Sequence, residues 1–153
     1  GALLASFRGR PLDELVTASV AAGARRLTGA ERMGGPGYFY RPGILGDIPE
    51  TAPAYREELF GPVALLYSAA DLTEAIAIAN DSRFGLGSAI FTNDEAEIEQ
   101  AVNDLDSGAT FVNALVASDP RLPFGGVKAS GYGRELAADG IREFVNIKTV
   151  SIA

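Results

Sequence analysis

Two stretches of this sequence combine residue types at spacings that can do chemistry. In Glu57-Glu58-Leu59-Phe60-Gly61-Pro62, a carboxylate stands two residues from an aromatic ring, and a Gly-Pro turn follows. A carboxylate accepts hydrogen bonds from two vicinal hydroxyls, such as those of a ribose. A Phe ring offers a flat apolar face to a heterocycle, and Gly-Pro sets the turn that aims both. A helix end followed by a turn explains the same residues without a ligand. The second stretch, Pro123 to Glu135, places four glycines within nine residues. It is not a Walker A loop: no Gly directly precedes Lys128 and no Ser or Thr directly follows it. It is not a dinucleotide fingerprint either, because no strand feeds it in the required register. A structural loop packed over a sheet is the competing reading, somewhat favoured on composition.

Such residues need elements to hold them. Pro11 to Gly23 has Leu12, Leu15, Val16 and Val20 at helical spacing, with Ser19 beside them, and predicts a helix. Ala24 to Thr28 predicts a short strand, Gly29 to Gly37 a Gly-rich turn, and Tyr38 to Gly46 an extended aromatic segment interrupted by Pro42. From Pro62 the pattern becomes regular. Val63–Tyr67, Ser88–Phe91 and Ala109–Val112 are apolar runs. Between them lie two helical patterns, one opening at Asp71 with Glu74 as a capping box and one opening at Thr92 with Glu95. The first has Leu72, Ala75, Ile76 and Ala79 as its stripe, the second Ile98, Ala101, Val102 and Leu105. Strand, helix, strand, helix, strand predicts an α/β fold with a parallel sheet. Continuous apolar strands predict a three-layer arrangement, with helices on both faces of that sheet.

Beyond the last of these strands, Asn113 to Leu122 carries Ser118, Asp119 and Arg121. In open α/β sheets, ligands bind outside the carboxyl ends of the strands. Arg121 can pair with a carboxylate there, or stand as a solvated surface residue. Leu136–Phe144 predicts a short helix and Val145–Ile152 a terminal strand.

The composition narrows the chemistry further. The 153 residues are 47% hydrophobic and 22% charged, and include neither cysteine nor histidine. That excludes a cysteine nucleophile, a Ser-His-Asp triad, disulfides and an ordinary zinc site from this chain, and no metal site is expected. The net charge is −7. Residues 57–120 hold 12 acidic side chains against one basic. These read as solvated helix faces, and nucleic acid is not an expected partner. No apolar run is long enough to span a bilayer. Gly1 to Gly9 lacks the pattern of a secretory leader, and a cytoplasmic location is expected.

Taken in order, Glu57 to Pro62, then Asn80 with Phe84-Gly85-Leu86, then Pro123 to Glu135 resemble three ordered signatures of the aldehyde dehydrogenase superfamily. They are similar to its E-E-[IL]-F-G-P, N-x-x-x-(Y/F)-G-L and P-F-G-G-x-K-x-S-G-x-G-R-E elements. The resemblance runs from about Pro11 to Ile152 and implies an incomplete catalytic domain, residues 1–144, with a C-terminal oligomerisation strand, residues 145–153. Ser118-Asp119-Pro120-Arg121-Leu122, with Val127, Lys128 and Ser130, looks most like succinate-semialdehyde dehydrogenases.

The resemblance implies roles. Glu58 would bind the nicotinamide ribose of NAD or NADP, and Phe60 would pack beside the ring. Ser118, Arg121 and Phe124 would form the substrate-binding side, with Ser118 helping to anchor a substrate carboxylate. Val145–Ile152 would join a partner subunit's sheet in a homo-oligomer. The family's nucleophilic cysteine, glutamate base, oxyanion-hole asparagine and main dinucleotide-binding domain would all lie before residue 1. No residue of this chain is then catalytic, and the expectation is a truncated member or one piece of a longer chain.

The leading expectation is thus the C-terminal segment of an NAD(P)-dependent oxidoreductase acting on an aldehyde, with succinate semialdehyde favoured, and inactive alone. The alternative is a non-catalytic assembly module that pairs with itself or with a full-length relative. A stand-alone nucleotide-binding module is a third reading.

Overall fold

The computed structural model describes Ser6–Phe7 and Arg10–Ala153, with side chains described from Leu12 onward. The leader reading of Gly1 to Gly9 falls mostly outside these residues. Two compact units divide the chain, Gly1–Ser68 and Ala69–Ala153.

The first unit runs β1 (Ser6–Phe7), β2 (Arg10–Pro11), α1 (Leu12–Ala21), β3 (Arg25–Thr28), β4 (Glu31–Arg32), β5 (Tyr40–Arg41), β6 (Gly43–Gly46), α2 (Pro53–Arg56) and β7 (Val63–Leu66). Its main sheet has the order β3-β6-β7, antiparallel at β3–β6 and parallel at β6–β7. The helix expected from Pro11 begins one residue later, and Leu12, Leu15, Val16 and Ser19 are its buried face. These join Ala24, Ala30, Tyr40, Leu45, Ile48, Ala52, Ala54 and Leu59 in a core, with Val20, Tyr55, Val63, Leu65 and Tyr67 packed against it. The buried Ser19 hydroxyl donates to the Leu15 carbonyl at 2.7 Å and accepts the Ala54 N–H at 2.9 Å. One small side chain therefore satisfies the polar groups where α1 meets α2. Gly43 opens β6 so close to its neighbour that a Cβ would lie 2.0 Å from the Ala30 nitrogen, so only glycine fits.

The second unit runs α3 (Leu72–Asn80), β8 (Phe84–Gly85), β9 (Ser88–Ile90), α4 (Glu95–Asp104), β10 (Thr110–Val112), β11 (Val127–Lys128) and α5 (Ala137–Arg142). β9 and β10 pair in parallel across α4, as the alternation predicts, and β8 pairs antiparallel with β11. The Asp71 carboxylate accepts the Glu74 N–H at 2.8 Å, while Glu74 reaches back to the Ala70 N–H. That is the expected capping box, its return bond displaced by one residue. The second helix starts later than its sequence suggests. Asp94, not Thr92, is its cap and accepts from Ala96 and Glu97. Thr92 accepts the Asp94 N–H and donates to Glu97, bracing the cap from outside.

The α/β class is as expected, but the sheets are mixed. β3 and β11 add antiparallel pairs that hydrophobic periodicity does not reveal, because strands of two to four residues hold too few side chains to show a period. Cover is also uneven. Along β7, Val63 and Leu65 are half-buried while Ala64 and Leu66 face outward. Val145–Ile152, expected as a terminal strand, pairs with no other strand among the described residues, and all of it is exposed.

Candidate functional site

Glu58 and Phe60 owe their exposure to the residue between them. α2 ends at Arg56, and the Glu57 N–H donates to the Pro53 carbonyl at 2.9 Å. The chain then leaves the helix extended, with Glu57 at φ −104° and ψ 145°. Successive side chains of an extended segment point to opposite sides. Leu59 is buried in the core, while Glu58 and Phe60 on either side of it are exposed. Phe60 sits at φ +28°, in the left-handed region that a bulky residue rarely adopts,. The turn that holds it there is anchored on both sides: the Val63 N–H donates to the Gly61 carbonyl at 2.8 Å, and the Gly43 N–H of β6 donates to the Pro62 carbonyl at 2.9 Å. The result is an open groove of about 520 Å³ lined by Glu57, Glu58, Leu59, Phe60, Gly61, Val63 and Leu65. Its chemistry is a carboxylate beside a flat ring on an apolar floor.

Ser118, Arg121 and Phe124 belong to the second unit. Asn113 ends β10 at φ +52°, and its carboxamide accepts from the Thr92 N–H at 3.0 Å and donates to the Thr92 carbonyl at 2.8 Å. This pair of hydrogen bonds ties the end of β10 to the residue that follows Phe91, at the start of the 114–122 loop. Ser118 is exposed on that loop. Arg121 is also exposed, and its guanidinium lies against Asp119, with Nη2 at 2.6 Å from Oδ2. The bond to Arg121 holds the Asp119 carboxyl below its usual range, helped by the Arg121 backbone N–H, and the same pairing raises the Arg121 guanidinium. Phe124 is half-buried and exchanges backbone hydrogen bonds with Glu135, at 2.8 and 2.7 Å.

The glycine-rich stretch from Pro123 to Glu135 is a brace. The Lys128 ammonium donates to the carbonyls of Asn80 and Ser82, at 3.0 and 3.2 Å, and pairs with Asp106 at 2.8 Å. The Asn80 carboxamide donates to the Asp104 carbonyl at 2.7 Å and accepts the Asp106 N–H at 2.8 Å. A cation is thus set at the last carbonyl of α3, where the helix dipole favours it, and it is paired with Asp106 just beyond α4,. Ser130 accepts the Gly85 N–H at 2.9 Å, and Arg134 donates to the carbonyls of Gly126 and Gly133, at 3.0 and 2.7 Å. Gly108 passes so near this loop that a Cβ would lie 1.7 Å from the Gly125 oxygen. The structural reading of the stretch therefore describes these contacts. Asn80, Asn113 and Arg134 hold the loops in place, and sequence spacing assigns none of them such a role. The partners of Asn80 and Asn113 are backbone groups more than twenty residues away, and those of Arg134 lie within its own loop.

With this geometry in hand, comparison with known proteins is direct. The aldehyde dehydrogenase family profile matches residues 1–150, and the chain belongs to that family. It is 53% identical, over 91% of its length, to the succinate-semialdehyde dehydrogenase [NADP(+)] 1 of Mycobacterium ulcerans. It is 52% identical, over 96% of its length, to an aldehyde dehydrogenase of Paenarthrobacter nicotinovorans. Among solved structures it superposes with a TM-score of 0.86 and 37% identity on the succinic semialdehyde dehydrogenase of Streptococcus pyogenes in complex with NADP+, over 92% of this chain and 31% of that one. The chain spans about 30% of the length of these relatives, namely 30% and 32% of the two curated sequences. Among the described residues, no helix is long and apolar enough to cross a membrane, and no cluster of His, Cys, Asp or Glu suits a metal ion.

Proposed function

We propose that this chain forms the nicotinamide-side groove and the substrate-tail loop of an NAD(P)-dependent aldehyde dehydrogenase that takes succinate semialdehyde to its acid. The observation that carries this reading is the groove at Glu58 and Phe60 in a chain of this family. An exposed carboxylate beside an exposed ring suits the ribose hydroxyls and one face of a ribose-linked heteroaromatic ring. The left-handed backbone at Phe60 supports it, since strain of this kind clusters where a side chain is held for use,. A bound nicotinamide cofactor would supply the two-electron acceptor. Glu58 would fix its ribose and Phe60 would limit the tilt of its ring. Ser118 would offer a hydroxyl to the substrate carboxylate, with Phe124 nearby. Support for succinate semialdehyde comes from what the Mycobacterium ulcerans and Streptococcus pyogenes relatives are called.

Within this reading the 153 residues alone turn over no aldehyde, because they hold no cysteine to attack one,. The test has two parts. NAD(P)H fluorescence with succinate semialdehyde should stay at background for the isolated chain; robust turnover would refute the inactivity. The Mycobacterium ulcerans relative, with this chain in place of its matching segment, should oxidise succinate semialdehyde. In that chimera Glu58→Ala should raise the KM for the dinucleotide, and an unchanged KM would remove Glu58 from the site.

A second, compatible reading concerns assembly. Ile147 and Ile152 are each at least 90% exposed in a segment with no strand partner among the described residues, and Phe144 beside it is 90% exposed, a surface that calls for cover. We propose that 145–152 pairs with a second copy or a full-length relative. Light scattering on the chain at high concentration should report an oligomer, and a clean monomer counts against the assembly role.

A further inference from the structure

Asp119 and Arg121 lie two residues apart on the loop that follows β10, and Asp119 engages the Nε–Nη2 edge of the Arg121 guanidinium. Arg121 Nε donates to both carboxylate oxygens, at 2.9 and 3.2 Å, and Nη2 donates to Oδ2 at 2.6 Å. The Arg121 backbone N–H donates to Oδ1 at 2.9 Å, and the Leu122 N–H donates to the Asp119 carbonyl at 2.9 Å. The same carboxylate therefore shapes the turn and occupies the guanidinium. The Arg121 side chain is 85% exposed and that of Asp119 only 30%, so the cation is the partner that faces incoming ligands.

Most exposed ion pairs hold loosely, because ordering two long side chains offsets the attraction. Two-point contact on a two-residue tether escapes much of that cost. A ligand carboxylate that reaches Arg121 finds the Nε–Nη2 edge engaged and a second negative charge beside it. The pair presents almost no net charge, and the like charge repels.

We propose that Asp119 is a specificity-determining residue that masks Arg121, and so limits how strongly this loop prefers aldehydes with a carboxylate tail over neutral ones. The proposal rests on the reading above that the Ser118 loop faces the substrate. With Arg121 masked, what Ser118 adds to this loop is an exposed hydroxyl, a donor without charge,. Asp119→Asn separates the two duties of Asp119: the amide oxygen still accepts the Arg121 N–H, while the charge that holds the guanidinium is gone.

Two measurements test this. In the isolated chain, the Nε–H resonance of Arg121 is followed by NMR during titration with succinate. It should stay still in the native chain and move saturably in D119N. A D119N resonance that ignores succinate overturns the masking. In the chimera, D119N should lower the KM for succinate semialdehyde about tenfold, the worth of one regained charged hydrogen bond, and leave kcat little changed. The KM for butanal, a neutral aldehyde of similar length, should not move. R121Q added to D119N should cancel the gain, and R121Q alone should do little. An unchanged preference in D119N, or a full loss of succinate semialdehyde affinity in R121Q alone, overturns the proposal. A chimera inactive on both aldehydes would instead sink the functional reading, and the NMR titration would still decide whether Asp119 masks Arg121.

Discussion

The two units of this chain are built on different physics. In Gly1–Ser68, eleven buried apolar residues, from Leu12 to Leu59, make one continuous core. In Ala69–Ala153, the buried apolar side chains are Ile76 and Ala101. Leu115, Tyr132, Ile141, Phe144, Ile147 and Ile152 of that unit are each more than 70% exposed. Its loops are instead held by Asn80, Asn113, Lys128, Ser130 and Arg134 reaching across to backbone groups. Burial is non-directional and tolerates small shifts. A hydrogen-bonded brace fixes position and adds little net stability. The first unit is therefore the source of stability, and the second keeps its loops in register while leaving much of its apolar surface exposed.

The sharpest way to break this comparison is at Leu45, which is fully buried. Leu45→Ala should cost about 2–5 kcal/mol in denaturant unfolding; a loss under about 1 kcal/mol would mean that the first unit has no true core.

Next is pH. The Tyr40 phenol is pushed up to about 12, first by burial and then by the Asp13 carboxylate, to which it donates at 3.2 Å. The unfolded phenol ionises near about 10. The neutral form is thus favoured in the folded state, and this contribution is complete below about pH 10. It is lost as pH rises to about 12, on the order of 2 kcal/mol. Stability measured across that window should fall more steeply in the native chain than in Tyr40→Phe. Parallel profiles would show that the first unit's core does not reach this ring.

Lys128→Met tests the brace. It removes an ion pair and two bonds from a partly exposed ammonium, and should cost about 1–2 kcal/mol. Hydrogen exchange should speed up at the ends of α3 and α4 and stay unchanged in α1. Spread of the effect into the first unit would erase the distinction between core and brace.

The smallest effect is expected at Arg25, whose pair with Asp47 is exposed at both ends. Arg25→Ala should change stability by less than about 1 kcal/mol; a larger loss in thermal unfolding would give surface charge a share of the work assigned here to burial.

Elements that announce themselves by a repeating period were legible in the sequence. Leu12, Leu15 and Val16 marked α1, Asp71 and Glu74 marked the start of α3, and the apolar runs at 63, 88 and 109 marked strands. The short strand expected at Ala24 to Thr28 is β3, while two-residue strands such as β11 were missed. The Thr92 start was misplaced because Thr and Asp both cap helices, and only the backbone path chose Asp94,. At the candidate site, Glu58 and Phe60 were legible as a motif, but their shared outward face depends on Leu59 turning into the core. Arg121 was legible as a cation for a carboxylate. That this carboxylate is its own neighbour Asp119 was not, since spacing alone does not say which way a flexible side chain turns.

By itself, then, the sequence determined the family, through three ordered motifs, and the limits of the chemistry, through the absence of cysteine and histidine. Residue types set which reactions are possible, and no folding can add a thiol. Tertiary structure alone decided which motif residues face outward in the candidate groove and which serve as a brace. The same Lys128 or Arg121 can bind a ligand or hold a loop. The choice depends on which acceptor lies within about 3 Å once distant segments meet, and that distance is a property of the fold.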